Sequence, residues 1–146
     1  MSGRTSIVEA LVEKFKTELN GTGPYTTNLY GNCKAVNKFW DEVNDYPYVC
    51  VVGGQEQREY LPSSFQWGFY SISIKLYVKK EEPQEELEQL ISDIELVLKN
   101  TIVLTYGTLP GQETADIRIT SIITDEGLLV PYGVGEINLI VQYQVL

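Results

Sequence analysis

Residues 66–80 read QWGFYSISIKLYVKK, and the alternation in this stretch limits the fold more than any other feature. Tyr70, Ile72, Ile74, Leu76 and Val78 fall on one side of an extended chain, and Phe69, Ser71, Ser73, Lys75, Tyr77 and Lys79 on the other. A period of two marks a strand with one face on a core. It fits the middle of an antiparallel sheet whose second face meets water or a partner. Phe69 and Tyr77 interrupt the polar side, so that face is not plainly solvent. The chain closes on a similar pattern. From Glu136 to Leu146, Ile137, Leu139, Val141, Tyr143 and Val145 alternate with Asn138, Ile140, Gln142 and Gln144, which predicts a long strand inside the sheet.

Two stretches have the helical period instead. Ser6 and Glu9 have the spacing of a capping box, and Ile7, Val8, Leu11, Val12, Phe15 and Leu19 follow at three and four residues. Asn20-Gly21 supplies the left-handed turn that ends this helix. Glu81-Glu82-Pro83 opens the second helix, because proline suits the first turn and carboxylates favour the positive end of the helix dipole. Leu87, Leu90, Ile91, Ile94, Val97 and Leu98 form its apolar stripe; Glu85, Glu86, Glu88, Asp93 and Glu95 make the opposite face acidic.

The linking segments are less regular. Thr22 to Asn32 reads as a loop tacked down by Tyr25, Leu29 and Tyr30. Residues 34–43 read either as a short helix or as an irregular segment; Val36, Phe39, Trp40 and Val43 sit at helical spacing, which favours a short helix that docks Phe39 and Trp40 on the sheet and stops at Asp45-Tyr46-Pro47. Tyr48 to Val52 is a short buried strand ending in a turn at Gly53-Gly54, and Gln55 to Ser64 is a polar arm expected to be a mobile hairpin tip. Thr114 to Thr124 is a strand whose isoleucines change phase around Ser121, which predicts a bulge. Asp125-Glu126-Gly127 is a turn and Pro131-Tyr132-Gly133 a second irregularity. The order of elements argues for an α+β fold: one domain over 1–146, an antiparallel sheet of about four or more strands of mixed length, and two main helices packed on one face.

The chemistry is sparse. A chain of 146 residues can bury a core unaided. Its net charge of −9, with no lysine or arginine cluster, disfavours a nucleic-acid binder that works by neutralising phosphates. Acidity is compatible with DNA passing through a hole that the protein helps to line. Cys33 and Cys50 read as free thiols, Cys50 in a buried strand. The stretch MSGRTSIVEA lacks the apolar core of a signal peptide and no run is long enough for a membrane span, so a soluble intracellular chain is expected. With no histidine, the commonest general base and metal ligand is missing. Glu56 with Glu59, and Asp125 with Glu126, are the carboxylate pairs an acid–base or cation site could use, but carboxylates in turns are usually solvated charge. Gly53-Gly54 and Gly133-Val134-Gly135 lack phosphate-loop or dinucleotide spacing and read as turns. Ten tyrosines suit interaction surfaces as well as strand ends. The residues alone therefore imply an acidic, non-enzymatic α+β domain without cofactor or metal.

The run from Phe39 to Asn100 resembles the tail terminator, or tail completion, proteins of long-tailed bacteriophages. The likeness lies in the order of parts: a segment ending in Tyr46-Pro47, a short strand, Gly53-Gly54-Gln55-Glu56, a polar arm, a strand started by Gly68 and ending in Tyr77-Val78, and a Glu-rich helix. The resemblance implies a structural protein of the virion, at the head-proximal end of the tail and assembled in the host bacterial cytoplasm. Proteins of that family form a ring, typically a homo-hexamer, that caps the tail tube, ends its polymerisation and presents a docking surface to a neck or head-completion protein. DNA would pass through the channel without specific binding. On that footing Gln55, Glu56, Arg58, Glu59 and Tyr60 are the candidate tube-binding arm, Phe69 and Tyr77 the candidate subunit interface, and Glu85, Glu88 and Asp93 a candidate acidic lining of the lumen. A neck or head–tail connector ring of the same virion, a tail-tube subunit (which the short, helix-rich chain argues against), an unrelated acidic binding module and a small enzyme or inhibitor stay open at this point.

Overall fold

The computed structural model describes residues 2–101 and 103–146. The elements run α1 (Gly3–Glu18), β1 (Cys33–Lys34), β2 (Tyr48–Tyr60), β3 (Gln66–Lys79), α2 (Pro83–Asn100), β4 (Thr114–Thr124) and β5 (Tyr132–Gln144). The strands form one sheet in the order β1-β2-β3-β5-β4. All its pairings are antiparallel except that of β1, which runs parallel to β2 over Cys33–Val49 and Lys34–Cys50. β5 returns between β3 and β4, so the two most strongly alternating strands lie side by side at the centre, over the register Trp67–Gln144 to Lys79–Tyr132.

Both helices pack on the same face. Ile7, Leu11 and Phe15 of α1 and Leu87, Leu90 and Ile94 of α2 meet Val49, Val51, Ile72, Ile74, Leu76, Ile137, Leu139 and Val141 in one continuous core. These are the inward residues of the period-two pattern, and burying them supplies most of the driving force for the fold. α1 starts earlier than the capping-box spacing suggested. Ser2 is the N-cap, and its hydroxyl accepts from the Thr5 N–H at 3.2 Å.

The second face of the sheet is partly covered, and not by a helix. Residues 35–47 have no regular structure: Phe39 is 69% exposed, and Val36 is exposed as well. Trp40 and Val43 alone of the four helically spaced residues pack on the sheet, where they meet Tyr48, Cys50, Tyr77 and Val134. Trp40 lies against the Tyr132 ring at 4.8 Å between centroids. The expected helix fails because this segment is held by side-chain bonds to its own carbonyls. The Tyr46 hydroxyl donates to Trp40 O at 2.7 Å, and the Tyr77 hydroxyl donates to Lys38 O. A carbonyl tied down from the side favours a fixed irregular path over a helical ladder.

Candidate assembly surfaces

The arm is a continuation of the sheet. β2 and β3 stay paired from Gly53–Ile72 out to Tyr60–Gln66, beyond a bulge between Gly53 and Glu56. The expected mobile polar tip is thus a paired hairpin, closed by Leu61 N–H donating to Phe65 O at 2.8 Å around a 3-10 turn at Pro62–Ser64. Ser63 and Ser64 both have positive φ, 68° and 64°. Outside glycine that backbone costs about 1 kcal/mol per residue or more, so the tip is held by its surroundings.

The root of the arm explains its stiffness. The bulge turns Glu56 toward the helix side, where its carboxylate accepts from the Tyr143 hydroxyl of β5 and from Arg58 Nε at 2.8 Å. Arg58 also reaches Gln66 Oε1 across the hairpin at 3.3 Å. The bond to Glu56 raises the Arg58 pKa, and burial, reinforced by the same carboxylate, pushes the Tyr143 phenol well above its ordinary value. Glu56 and Arg58 are therefore structural members of the arm. Arg58 is itself exposed, whereas the Glu56 side chain is buried; Gln55, Glu59 and Tyr60 are exposed as well, with Tyr60 70% exposed at the tip beside Leu61. Phe65 and Trp67 stack edge to face beneath them at 4.9 Å.

The other predicted residues are scattered. Phe69 is half-buried on the helix-free face near the arm. Tyr77 lies on the same face but is 4% exposed beneath the 35–47 segment, so this chain's own loop takes the surface that the sequence offered to a neighbour. Glu85 and Glu88 are exposed on α2. Asp93 is not on that acidic face: it is 2% exposed and accepts from the Thr27 N–H at 2.9 Å, from the Thr27 hydroxyl and from Gln89 Nε2 at 3.1 Å. Its spacing from Leu90 and Val97 placed it on the border of the apolar stripe, a signal that the run of carboxylates concealed.

Sequence reasoning missed the opposite edge. β4 pairs on one side only, and Ile119, Ile122 and Ile123 are exposed along it. The expected bulge is present between Ile119 and Ser121, with a second between Thr114 and Asp116. The unbroken TSIIT run lacks the lysine or proline that usually blunts an edge. Among the described residues no group of three or more His, Cys, Asp or Glu could hold a metal ion. Among the described residues no helix is long and apolar enough to cross a membrane. Cys33 and Cys50 are both free and buried.

The fold is an α+β domain that presents a paired hairpin and an open sheet edge at its surface. The family model for the bacteriophage tail tube terminator protein matches residues 1–146, and the chain belongs to that family. It is 42% identical over 153 residues to the tail tube terminator protein p142 of Escherichia phage T5, covering 99% of this chain and 95% of that one. The fold is shared with a chain in the virion of a native gene transfer agent particle, at a TM-score of 0.66 and 8% identity over 97% of this chain and 96% of the other. At that identity the likeness speaks for the fold alone.

Proposed function

We propose that this protein closes into a homo-hexameric ring that caps the finished tail tube, ends its polymerisation and offers its other end to a neck or head-completion protein. The observation that carries the reading is the arm. A hairpin rooted by Tyr143, Glu56 and Arg58 carries Tyr60 and Leu61 outward as an exposed pair with its backbone already fixed. Preorganised aromatic contacts bind at low entropic cost, which suits a plug that must recognise one end of a tube. A subunit with net charge −9, repeated around a ring, makes a channel that repels DNA rather than holding it.

Tyr60→Asp with Leu61→Asp tests the arm, because neither side chain is in the core. The expected result is a folded protein with unchanged thermal stability that no longer stops the growth of purified tubes and leaves overlong, headless tails in infected cells. Tails of normal length from this variant would reject the arm as the tube contact.

A further inference from the structure

The sheet has two open edges. One is the outer side of β4; the other is β2 from Val51 to Tyr60, since β1 covers only Val49 and Cys50. β4 runs antiparallel to β5, β5 to β3 and β3 to β2, so β4 and β2 point in opposite directions. In a cyclic ring with strands inclined to its axis, the β4 edge of one copy therefore meets the β2 edge of the next in antiparallel orientation, a heterologous contact that closes by rotation. An exposed isoleucine-bearing edge, with Ile123 54% exposed, is a strand-pairing surface.

We propose that β4 pairs with the arm portion of β2 from a second copy, and that Arg118 of one copy meets Glu59 of the next. This deepens the ring reading above and rests on it. Arg118 lies on the helix-free face, 76% exposed, with its near neighbour Asp116 as its one ion partner among the described residues. Glu59 lies on the same face, exposed and without an ionic partner among the described residues. Within one chain the row through Arg118, Ile140 and Ser71 reaches β2 in its bulge, at Gly54–Gln55. Closing a sheet requires its strands to tilt by about 35–45°. A stagger of about one residue per strand, roughly 3.3 Å of rise against 4.8 Å of spacing, gives a tilt of about 35°. Over the four long strands of each copy that stagger moves the meeting point about four residues along β2, from Gln55 to Glu59. The direction follows if the β3–α2–β4 crossover is right-handed, as such crossovers are, and the bulky helix layer takes the convex side. Glu85 and Glu88 then stand on the outer wall of the ring, not in its channel.

The test compares wild type, Arg118→Glu, Glu59→Arg and the double exchange, by native mass and by amide exchange of β4, in solution and on purified tube ends. The expected result is that each single exchange weakens assembly about tenfold or more, that the double exchange recovers it to within a few-fold, and that β4 amides are protected only in the assembled form. Assembly of Arg118→Glu at wild-type strength, with β4 amides exchanging as in the monomer, would overturn the edge pairing and leave the ring standing. Protected β4 amides without recovery in the double exchange would overturn the Arg118–Glu59 register. A wild-type protein that stays monomeric both in solution and on tubes would overturn the ring reading and this inference with it.

Discussion

Tyr48 of β2 and Tyr77 of β3 face each other in register, both nearly fully buried at 5% and 4% exposure, and only Tyr77 has its hydroxyl bonded. Tyr77 donates to Lys38 O, whereas the Tyr48 hydroxyl has no partner among the described residues. A buried polar group without a partner opposes folding, and one with a partner contributes a modest net gain. Tyr77→Phe should therefore cost about 1–2 kcal/mol, removing the bond to Lys38 O in a partly buried place, while Tyr48→Phe should be neutral or stabilising by up to about 1 kcal/mol. Urea midpoints of the two variants check this, and equal losses in both would show that ring packing outweighs the hydroxyls.

Asp93 ties the loop before β1 to α2. It binds both the backbone and side chain of Thr27, and Asn100 Nδ2 adds a bond to the Tyr25 hydroxyl at 3.2 Å. Asp93→Ala strands the Thr27 donors in a partly buried place, for a loss of about 2–3 kcal/mol. Amide exchange should rise first in residues 20–32. A uniform rise across the sheet would instead mean that the loop is not a separable unit.

The two helices, the central strands and the phase shift of β4 were legible because each carries a period that a single buried face imposes: Ile72, Ile74 and Leu76 cannot face the helices unless Ser71, Ser73 and Lys75 face away. The arm was not legible as strand. Beyond the bulge at Gly53–Glu56 both faces of β2 are exposed or polar, so QEQREY has no alternation to read although its backbone is fully paired. The 35–47 segment misled for the converse reason. Val36 and Phe39 supplied a helical period but are exposed, and the bonds that fix its path end on carbonyls, which no side-chain pattern reports. The candidate surfaces were half visible. Tyr60 and Phe69 lie where an arm and a sheet face were expected, but the cover over Tyr77 and the burial of Asp93 depend on contacts between segments far apart in sequence.

Gly68 of β3 lies against the root of the arm. A Cβ there would stand 2.6 Å from Tyr143 Cε1 and 3.2 Å from Glu56 Oε1, against ring atoms that cannot step aside without losing the Tyr143–Glu56 bond. Gly68→Ala should cost about 1–3 kcal/mol and speed amide exchange in the arm. Gly54→Ala, whose Cβ would make an ordinary 3.7 Å contact with Ser71 O, should be tolerated and serves as its control. Equal stability of the two variants, by thermal melting, would show that the Tyr143 ring yields more easily than its packing suggests.

The buried thiols and phenols give the fold an alkaline limit. Burial pushes Cys33 from its ordinary 9.0 up to about 12, raises Cys50 in the same direction, and pushes Tyr77 from 10.0 up to about 12. Between those values the folded chain keeps protons that the unfolded chain releases, so stability is full below about pH 9 and falls as pH rises toward 12. Each group fully shifted in this way contributes a slope of about 1.4 kcal/mol per pH unit. Cys33→Ala, compared with wild type by urea unfolding at half-unit steps from pH 8 to 10.5, should show a shallower decline above pH 9 although it starts from a lower stability. The same slope in both proteins would mean that the loss comes from Cys50, the phenols and repulsion in a chain already at −9, and that Cys33 has no share in it.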